Sequence, residues 1–107
     1  MILRIWRGQS SRDNADRYVQ HVSQKVLPAL AEIPGHRGAT VIRRDVSASV
    51  EFLVITRWDS LEAIRAFAGP KPDVAVVEPE AQAVLSDYDR FVRHYEVAYD
   101  SEPAETS

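Results

Sequence analysis

The side chain best suited to acid–base chemistry is a histidine near the end of the chain. His94 lies within residues 91–99, an apolar and aromatic run that predicts a strand, and alternation puts it on one face with Glu96. An imidazole titrates near neutral pH, so it could take a proton from a phenol. The alternative is a structural histidine, bonded to a neighbour at a subunit interface. His94 is therefore a candidate general base, with both interpretations open.

Other kinds of site are disfavoured by the composition and the spacing of the sequence. The chain has no cysteine, which excludes thiol nucleophiles and thiolate metal sites. His21, His36 and His94 belong to three different predicted elements, so no metal site is expected. The sequence has no Gly-rich phosphate loop and no serine nucleophile elbow. A net charge of −3 without a basic stripe argues against nucleic-acid binding.

The first half of the chain predicts a strand followed by a long helix. Residues 2–8 form the strand, and Ser11 can cap the helix that begins there. Pro28 removes a backbone donor, so the helix should kink or pause at that point. The predicted buried stripe of this helix consists of Tyr18, Val22, Val26, Ala29 and Ile33.

The second half predicts a hairpin, two helices and a last strand. Residues 38–46 and 50–58 pair as the hairpin, and Asp59 caps the next helix with Glu62 completing a capping box. Pro79 opens a short helix that runs to residue 85, and residues 91–99 form the last strand. The inner stripe of the middle helix is predicted to hold Leu61, Ile64 and either Phe67 or Ala68.

This order is that of an α+β, ferredoxin-like βαββαβ subunit with a four-stranded antiparallel sheet. Right-handed crossovers place both long helices on one face of the sheet. The third strand is nevertheless apolar on both faces, with Phe52, Val54 and Trp58 on one side and Leu53 and Ile55 on the other. An uncovered apolar face of several hundred Å² is rare in monomers. The sequence therefore predicts a homodimer stacked sheet to sheet, with an interface on the order of 1,500 Å².

The chain is expected to be one domain, residues 1–99, with a disordered acidic tail at 100–107. Arg4 and Arg7 break the apolar N-terminal stretch, so it does not read as a signal peptide. No window is long and apolar enough for a membrane helix, and a cytoplasmic location is expected.

Three segments carry a resemblance to a known family: residues 33–35, 52–69 and 85–97. Over nearly its whole length the chain resembles the antibiotic biosynthesis monooxygenase (ABM) domains of the dimeric α/β-barrel superfamily. The resemblance implies a ligand cleft between the sheet and the helices of each subunit. Some members bind polycyclic phenols or quinols there and oxygenate them without metal or flavin. In that chemistry the protein removes a proton and stabilises an anion that reacts with dioxygen.

The resemblance also assigns roles to individual positions. Trp58 matches the tryptophan of the cofactor-free monooxygenases and is by that match a ring contact, although its residue type alone predicts a core aromatic. Val54 stands where those enzymes carry an asparagine that hydrogen-bonds the substrate, and Ile64 stands where they carry an aromatic. Tyr18 and His21 are further candidates to line the cleft. Packing is the alternative for Tyr18, and His21 is expected to be half exposed.

A second branch of the superfamily degrades haem, using a histidine ligand and a tryptophan in the second helix. Here Phe67 occupies the tryptophan position, and an apolar stretch at residues 74–77 matches the histidine. This branch is therefore rejected, and no cofactor is expected. Phe67 remains a candidate to line the cleft.

Three functions follow as hypotheses. The first is a cofactor-free monooxygenase, an oxidoreductase with His94 as base and Trp58 as ring contact. The second is a non-catalytic, ligand-binding or stress-associated dimeric module, which the loss of the polar group at Val54 favours. The third is a structural interaction domain whose cleft is filled by its own aromatic side chains.

Overall fold

The fold is an antiparallel sheet with helices packed on one of its faces. The computed structural model describes residues 1–103. A π-helical turn, Val22–Val26, joins the first two helices. The elements are β1 (Ile2–Ser11), α1 (Arg12–His21), α2 (Leu27–Ala31), β2 (His36–Val46), β3 (Ser49–Trp58), α3 (Leu61–Ala68), α4 (Pro79–Val84), β4 (Asp87–Tyr88) and β5 (Arg93–Glu96).

The strands follow the order β2-β3-β1, and β4 and β5 both pair with the remaining edge of β1. This confirms the predicted α+β, ferredoxin-like class, including the hairpin between β2 and β3. The last strand predicted over residues 91–99 is present but shorter, at Arg93–Glu96, and the short strand β4 precedes it. The backbone N–H of Val92 donates to the carbonyl of Asp73 at 2.8 Å, and that of Ala75 donates to Arg90 at 2.9 Å. The chain therefore leaves β1 between β4 and β5 to pair with the loop before α4.

The first helix follows its predicted stripe only as far as the π-helical turn. Ser11 caps α1 by accepting from the Asn14 N–H at 3.3 Å, and Tyr18 and Val22 are buried. Beyond the turn Leu30 is buried and Ala29 is exposed. A π-helical turn holds an extra residue, which rotates the following stripe by one position. Pro28, which cannot donate a backbone hydrogen bond, marks the predicted irregularity.

Helix α3 is capped by Ser60 and not by the predicted Asp59. The Ser60 hydroxyl accepts from the Ala63 N–H at 3.2 Å, whereas the Asp59 carboxylate takes two hydrogen bonds from Arg37 at 2.7 Å each. Ile64 is fully buried, but Leu61, predicted inside, is exposed. Pro79 begins α4, as predicted.

The sheet face away from the helices carries an apolar surface built from three cross-strand pairs. We call it the open face, and within residues 1–103 no helix packs on it. Ile42 and Tyr95 on it are 45% and 49% exposed. Its members are the pairs Leu3 with Tyr95, Ile5 with Ile55 and Ile42 with Leu53. Homodimerisation through this face stays a prediction.

The first four residues of the predicted tail agree with the expectation that it has no regular structure, and the last four lie outside the described residues. Residues 100–103 are exposed and have no regular secondary structure, while residues 104–107 lie outside the described residues. In the part of the chain that the structure covers, no helix combines the length and the apolar character needed to cross a membrane.

Candidate functional site

A cleft lies between the helices and the buried face of the sheet. Its floor is formed by alternate residues of the two central strands, Arg4 and Trp6 from β1 and Val54 and Thr56 from β3. The helical wall and the loop before α4 close the sides. The other lining residues are Tyr18, His21, Val22, Val26, Leu30, Phe67, Val76, Val77, Glu78, Ala81 and Val92.

The cleft leaves open space between its side chains. Its cavity volume is about 80 Å³. An enclosed apolar cavity of about 150 Å³ holds benzene, so a ring compound in this cleft would extend from the cavity through its open side. The walls are mainly apolar and aromatic, with a few polar groups among them, as in such pockets generally. The third hypothesis, a cleft filled by its own side chains, is not favoured by this space.

Three of the five predicted site residues line the cleft: Tyr18, His21 and Phe67. Trp58 does not, since it is fully buried behind the wall. Its indole Nε1 donates to Thr56 Oγ1 at 2.8 Å, and its ring stacks on Phe67 with centroids 6.0 Å apart and planes at 18°. Trp58 thus supports two residues of the wall without reaching the open space.

Tyr18 presents an aromatic ring to the cleft and to the core. Its ring lies 4.8 Å from that of Phe52 and 6.1 Å from that of Trp6, measured between centroids. Burial raises the pKa of the Tyr18 phenol, because the charged form would lose its hydration. Near neutral pH Tyr18 is therefore a neutral ring contact.

His21 is buried, in contrast to the expected half exposure, because residues before and within α4 cover it. Its Nδ1 lies 3.3 Å from Glu80 Oε2, and its Nε2 lies 3.6 Å from Glu78 Oε2. Neither nitrogen makes a hydrogen bond with a residue of the described chain. Buried polar atoms are normally paired. His21 is thus a buried imidazole on the wall of the cleft, with each ring nitrogen sealed from solvent next to a carboxylate.

His94 faces the helical side of the sheet but lies behind the cleft. Its Nδ1 is 3.1 Å from Asp73 Oδ1, and its Nε2 is 3.3 Å from Arg4 Nη1. A neutral ring with its proton on Nδ1 satisfies both contacts. Burial, together with the Arg4 cation, lowers the pKa of His94, and the Asp73 carboxylate opposes this. His94 is not a lining residue but contacts Arg4, which is one, and its role as a base stays a prediction.

Arg4 is the residue of the site that sequence reasoning missed. It is 4% exposed and lines the cleft from β1. Its Nη1 donates to the carbonyl of Pro72, and its Nη2 donates to the carbonyl of Val74 at 3.2 Å. The available signal was its position between Ile2 and Trp6 on one face of β1, since strand alternation gives this arginine apolar neighbours.

Arg4 remains a cation in this setting. Burial lowers its pKa to about 10, and the Asp73 carboxylate acts in the opposite sense. The guanidinium also lies over the ring of Phe67, 5.6 Å from its centroid. The described residues contain no cluster of three or more acidic, histidine or cysteine side chains that could hold a metal ion.

Comparisons with known proteins give one family match and several structural matches. The family model for antibiotic biosynthesis monooxygenase matches residues 1–70. A Bacillus cereus protein assigned to such monooxygenases superimposes with a TM-score of 0.72 at 14% identity, over 98% of each chain. Comparison with curated proteins gives no match.

Two further structural matches have ligands bound. The haem degrader MhuD from Mycobacterium tuberculosis, with two haems in its active site, gives a TM-score of 0.62 at 20% identity, over 95% of this chain and 100% of that chain. The ActVA-Orf6 monooxygenase of Streptomyces coelicolor, in complex with nanaomycin D, gives 0.65 at 14% identity, over 96% and 92%. At such identities these matches show a shared fold.

Proposed function

The chain belongs to the antibiotic biosynthesis monooxygenase family, and from this premise we propose that it binds a small, flat, quinol-type aromatic ligand in the cleft. The observation that carries the proposal is the cleft itself, with the rings of Trp6, Tyr18 and Phe67 on its walls. Aromatic walls favour aromatic ligands through stacking and edge-to-face contacts. The haems and nanaomycin D of the two structural relatives are likewise flat ring systems, which supports the same class of ligand here.

The chemistry that we propose is oxygenation of the ligand without metal or flavin. A base removes a proton from the reduced ring, and the resulting carbanion reacts with dioxygen. One oxygen atom ends as a ring carbonyl, and the other leaves as water with the two hydrogens of the oxidised carbon. His94, which contacts the lining residue Arg4, is one candidate base, and His21, whose ring lines the cleft but whose two nitrogens are sealed against Glu78 and Glu80, is the other.

A second function, ligand binding without chemistry, is favoured by one observation. Val54 lies on the floor of the cleft at the position where the resemblance places a hydrogen-bonding asparagine. A valine provides no donor for a developing negative charge. Oxygenation therefore needs another group to stabilise the anion, whereas simple binding does not.

Dioxygen consumption with anthrone as substrate separates the two functions. Turnover above the rate of anthrone autoxidation supports the oxygenase, and saturable binding without turnover supports the binding module. Absence of binding overturns both. His21→Gln and His94→Gln should each be compared with His36→Gln as a matched control, because His36 lies outside the lining of the cleft. Loss of turnover in one of the first two identifies the base.

We also propose that two copies of the chain associate through the open face. The exposed Ile42 and Tyr95 support this, because monomeric proteins seldom expose such an apolar surface to solvent. Sedimentation at micromolar concentration should give a dimer, and Ile42→Glu with Tyr95→Glu should give a folded monomer. A wild-type monomer at that concentration overturns the proposal.

A further inference from the structure

Arg4 places a positive charge on the floor of the cleft without an acidic partner. Across residues 1–103 no carboxylate oxygen lies within 4.0 Å of its guanidinium, although the side chain is 4% exposed. The carbonyls of Pro72 and Val74 accept its hydrogen bonds but do not neutralise its charge. The Asp73 carboxylate attracts this cation but forms no salt bridge with it, and a buried cation without a salt bridge is costly.

Two acidic groups near this region, Asp73 and Glu78, each contact a histidine and form no salt bridge with Arg4. Asp73 contacts the Nδ1 of His94 at 3.1 Å and is largely exposed. Glu78 lines the cleft but is half exposed and lies 3.6 Å from the Nε2 of His21. Solvent screens exposed charges far more than buried ones. Arg4 is therefore the buried cation among the residues that line the cleft, whereas the lining residue Glu78 is half exposed.

The guanidinium keeps donors available for a ligand. Of its five N–H groups, two on Nη1 meet Pro72 and His94, and one on Nη2 meets Val74. Nε makes no hydrogen bond within the described chain, and it is not among the polar atoms sealed from solvent. Nε and Nη2 form the same edge with which Arg37 holds both carboxylate oxygens of Asp59.

We infer that the ligand carries an anionic oxygen on its ring, a carboxylate or a phenolate, and that Arg4 binds this oxygen through its Nε and Nη2 edge. The inference rests on the proposed function, since it names the class of ligand for the same cleft. It also identifies the group that oxygenation needs. Across the two central strands Arg4 pairs with Thr56, and Trp6 pairs with Val54. These two pairs are neighbours on the face of the sheet that forms the floor of the cleft, so Arg4 lies close to Val54. A cation there compensates for the missing polar group at Val54.

Isothermal titration with 2-naphthoate and with 2-naphthamide tests the inference on the intact protein. The two probes share the ring system, and only the first is an anion at pH 7.5. We expect naphthoate to bind roughly 10- to 100-fold more tightly, as for a hydrogen-bonded charge pair. Arg4→Met should remove this preference, and Arg4→Lys should retain part of it. Arg17→Met is the matched control, since it removes one charge from an exposed position on α1.

The outcomes separate this inference from the proposed function. Equal binding of both probes by the wild-type protein overturns the role of Arg4 and leaves aromatic binding intact. Absence of binding by either probe overturns both proposals. A preference for naphthoate that survives in a folded Arg4→Met variant also overturns the inference. The comparison of probes on the wild-type protein needs no variant, so it decides the matter even if Arg4→Met does not fold.

Discussion

Replacing Trp58 by phenylalanine should separate support of the cleft from contact with its ligand. Trp58 is fully buried and is not a lining residue, but it contacts the lining residues Thr56 and Phe67. Phenylalanine keeps one ring for stacking on Phe67. It removes the N–H that donates to Thr56 Oγ1 at 2.8 Å and leaves the space of the second ring empty.

The expected loss of stability has two parts. A net hydrogen bond contributes about 1 kcal/mol, and the partly filled void adds about 1–2 kcal/mol, so the free energy of unfolding should fall by about 2–3 kcal/mol. Ligand affinity should change by less than about threefold, because a side chain without ligand contact is not a binding hot spot. Trp6→Phe is the matched comparison, since Trp6 lines the cleft. In Trp6→Phe the loss of ligand-binding free energy should exceed the loss in the free energy of unfolding.

Urea unfolding followed by circular dichroism gives the measurement, at one protein concentration because association would shift the transition. A double-mutant cycle with Thr56→Val isolates the hydrogen bond, since valine keeps the shape of threonine and removes the acceptor. The double variant should be about 1 kcal/mol less destabilised than the sum of the single variants. Additive losses, or a tenfold loss of affinity in Trp58→Phe at unchanged stability, would refute the reasoning.

Three further substitutions test the packing of the core at Ile64, the contact between Gly8 and the ring of Trp6, and the protonation of His94. Ile64→Ala should lower the free energy of unfolding by about 3–4 kcal/mol in urea, because Ile64 is fully buried. Gly8→Ala should destabilise by about 1–3 kcal/mol and weaken ligand binding, since its Cβ would lie 2.5 Å from the Trp6 ring. The folded pKa of His94 is below the ordinary 6.5, so stability is fully present above pH 6.5 and lost as pH falls through the folded pKa. In His94→Gln the free energy of unfolding, measured in urea at a series of pH values from about 7 to 5, should fall less with decreasing pH than in the wild-type protein.

The fold could be predicted because several signals in the sequence agree. Strand alternation and the turn between β2 and β3 specify the hairpin, and Pro79 and Ser11 mark helix starts that the structure contains. The errors arise where two local solutions compete. Asp59 and Ser60 are both good caps, and the outcome depends on Arg37, which lies 22 residues earlier in the chain and binds Asp59. Sequence spacing cannot reveal such a partner.

The site could be predicted only in part, for reasons that differ between residues. Tyr18 precedes the π-helical turn, so ordinary helical spacing places it correctly, whereas His21 was expected to be half exposed and is buried because residues before and within α4 cover it. The stripe after the turn could not be placed, because one inserted residue changes which side chains face inward. Arg4 was missed because an arginine on a strand is ordinarily exposed. Its burial depends on carbonyls from a loop about 70 positions away.

Sheet register connects the two surfaces that the proposals concern. On β1 the residues Arg4 and Trp6 belong to the floor of the cleft. Leu3 and Ile5, which alternate with them along the strand, belong to the open face. A shift of one residue would exchange the two sets and place the cation outside. The ten cross-strand pairs between β1 and β3 make such a shift costly. The same strands can therefore present a charged ligand site on one side and an apolar association surface on the other, and substitutions on the open face should alter assembly while leaving the side chains of the cleft in place.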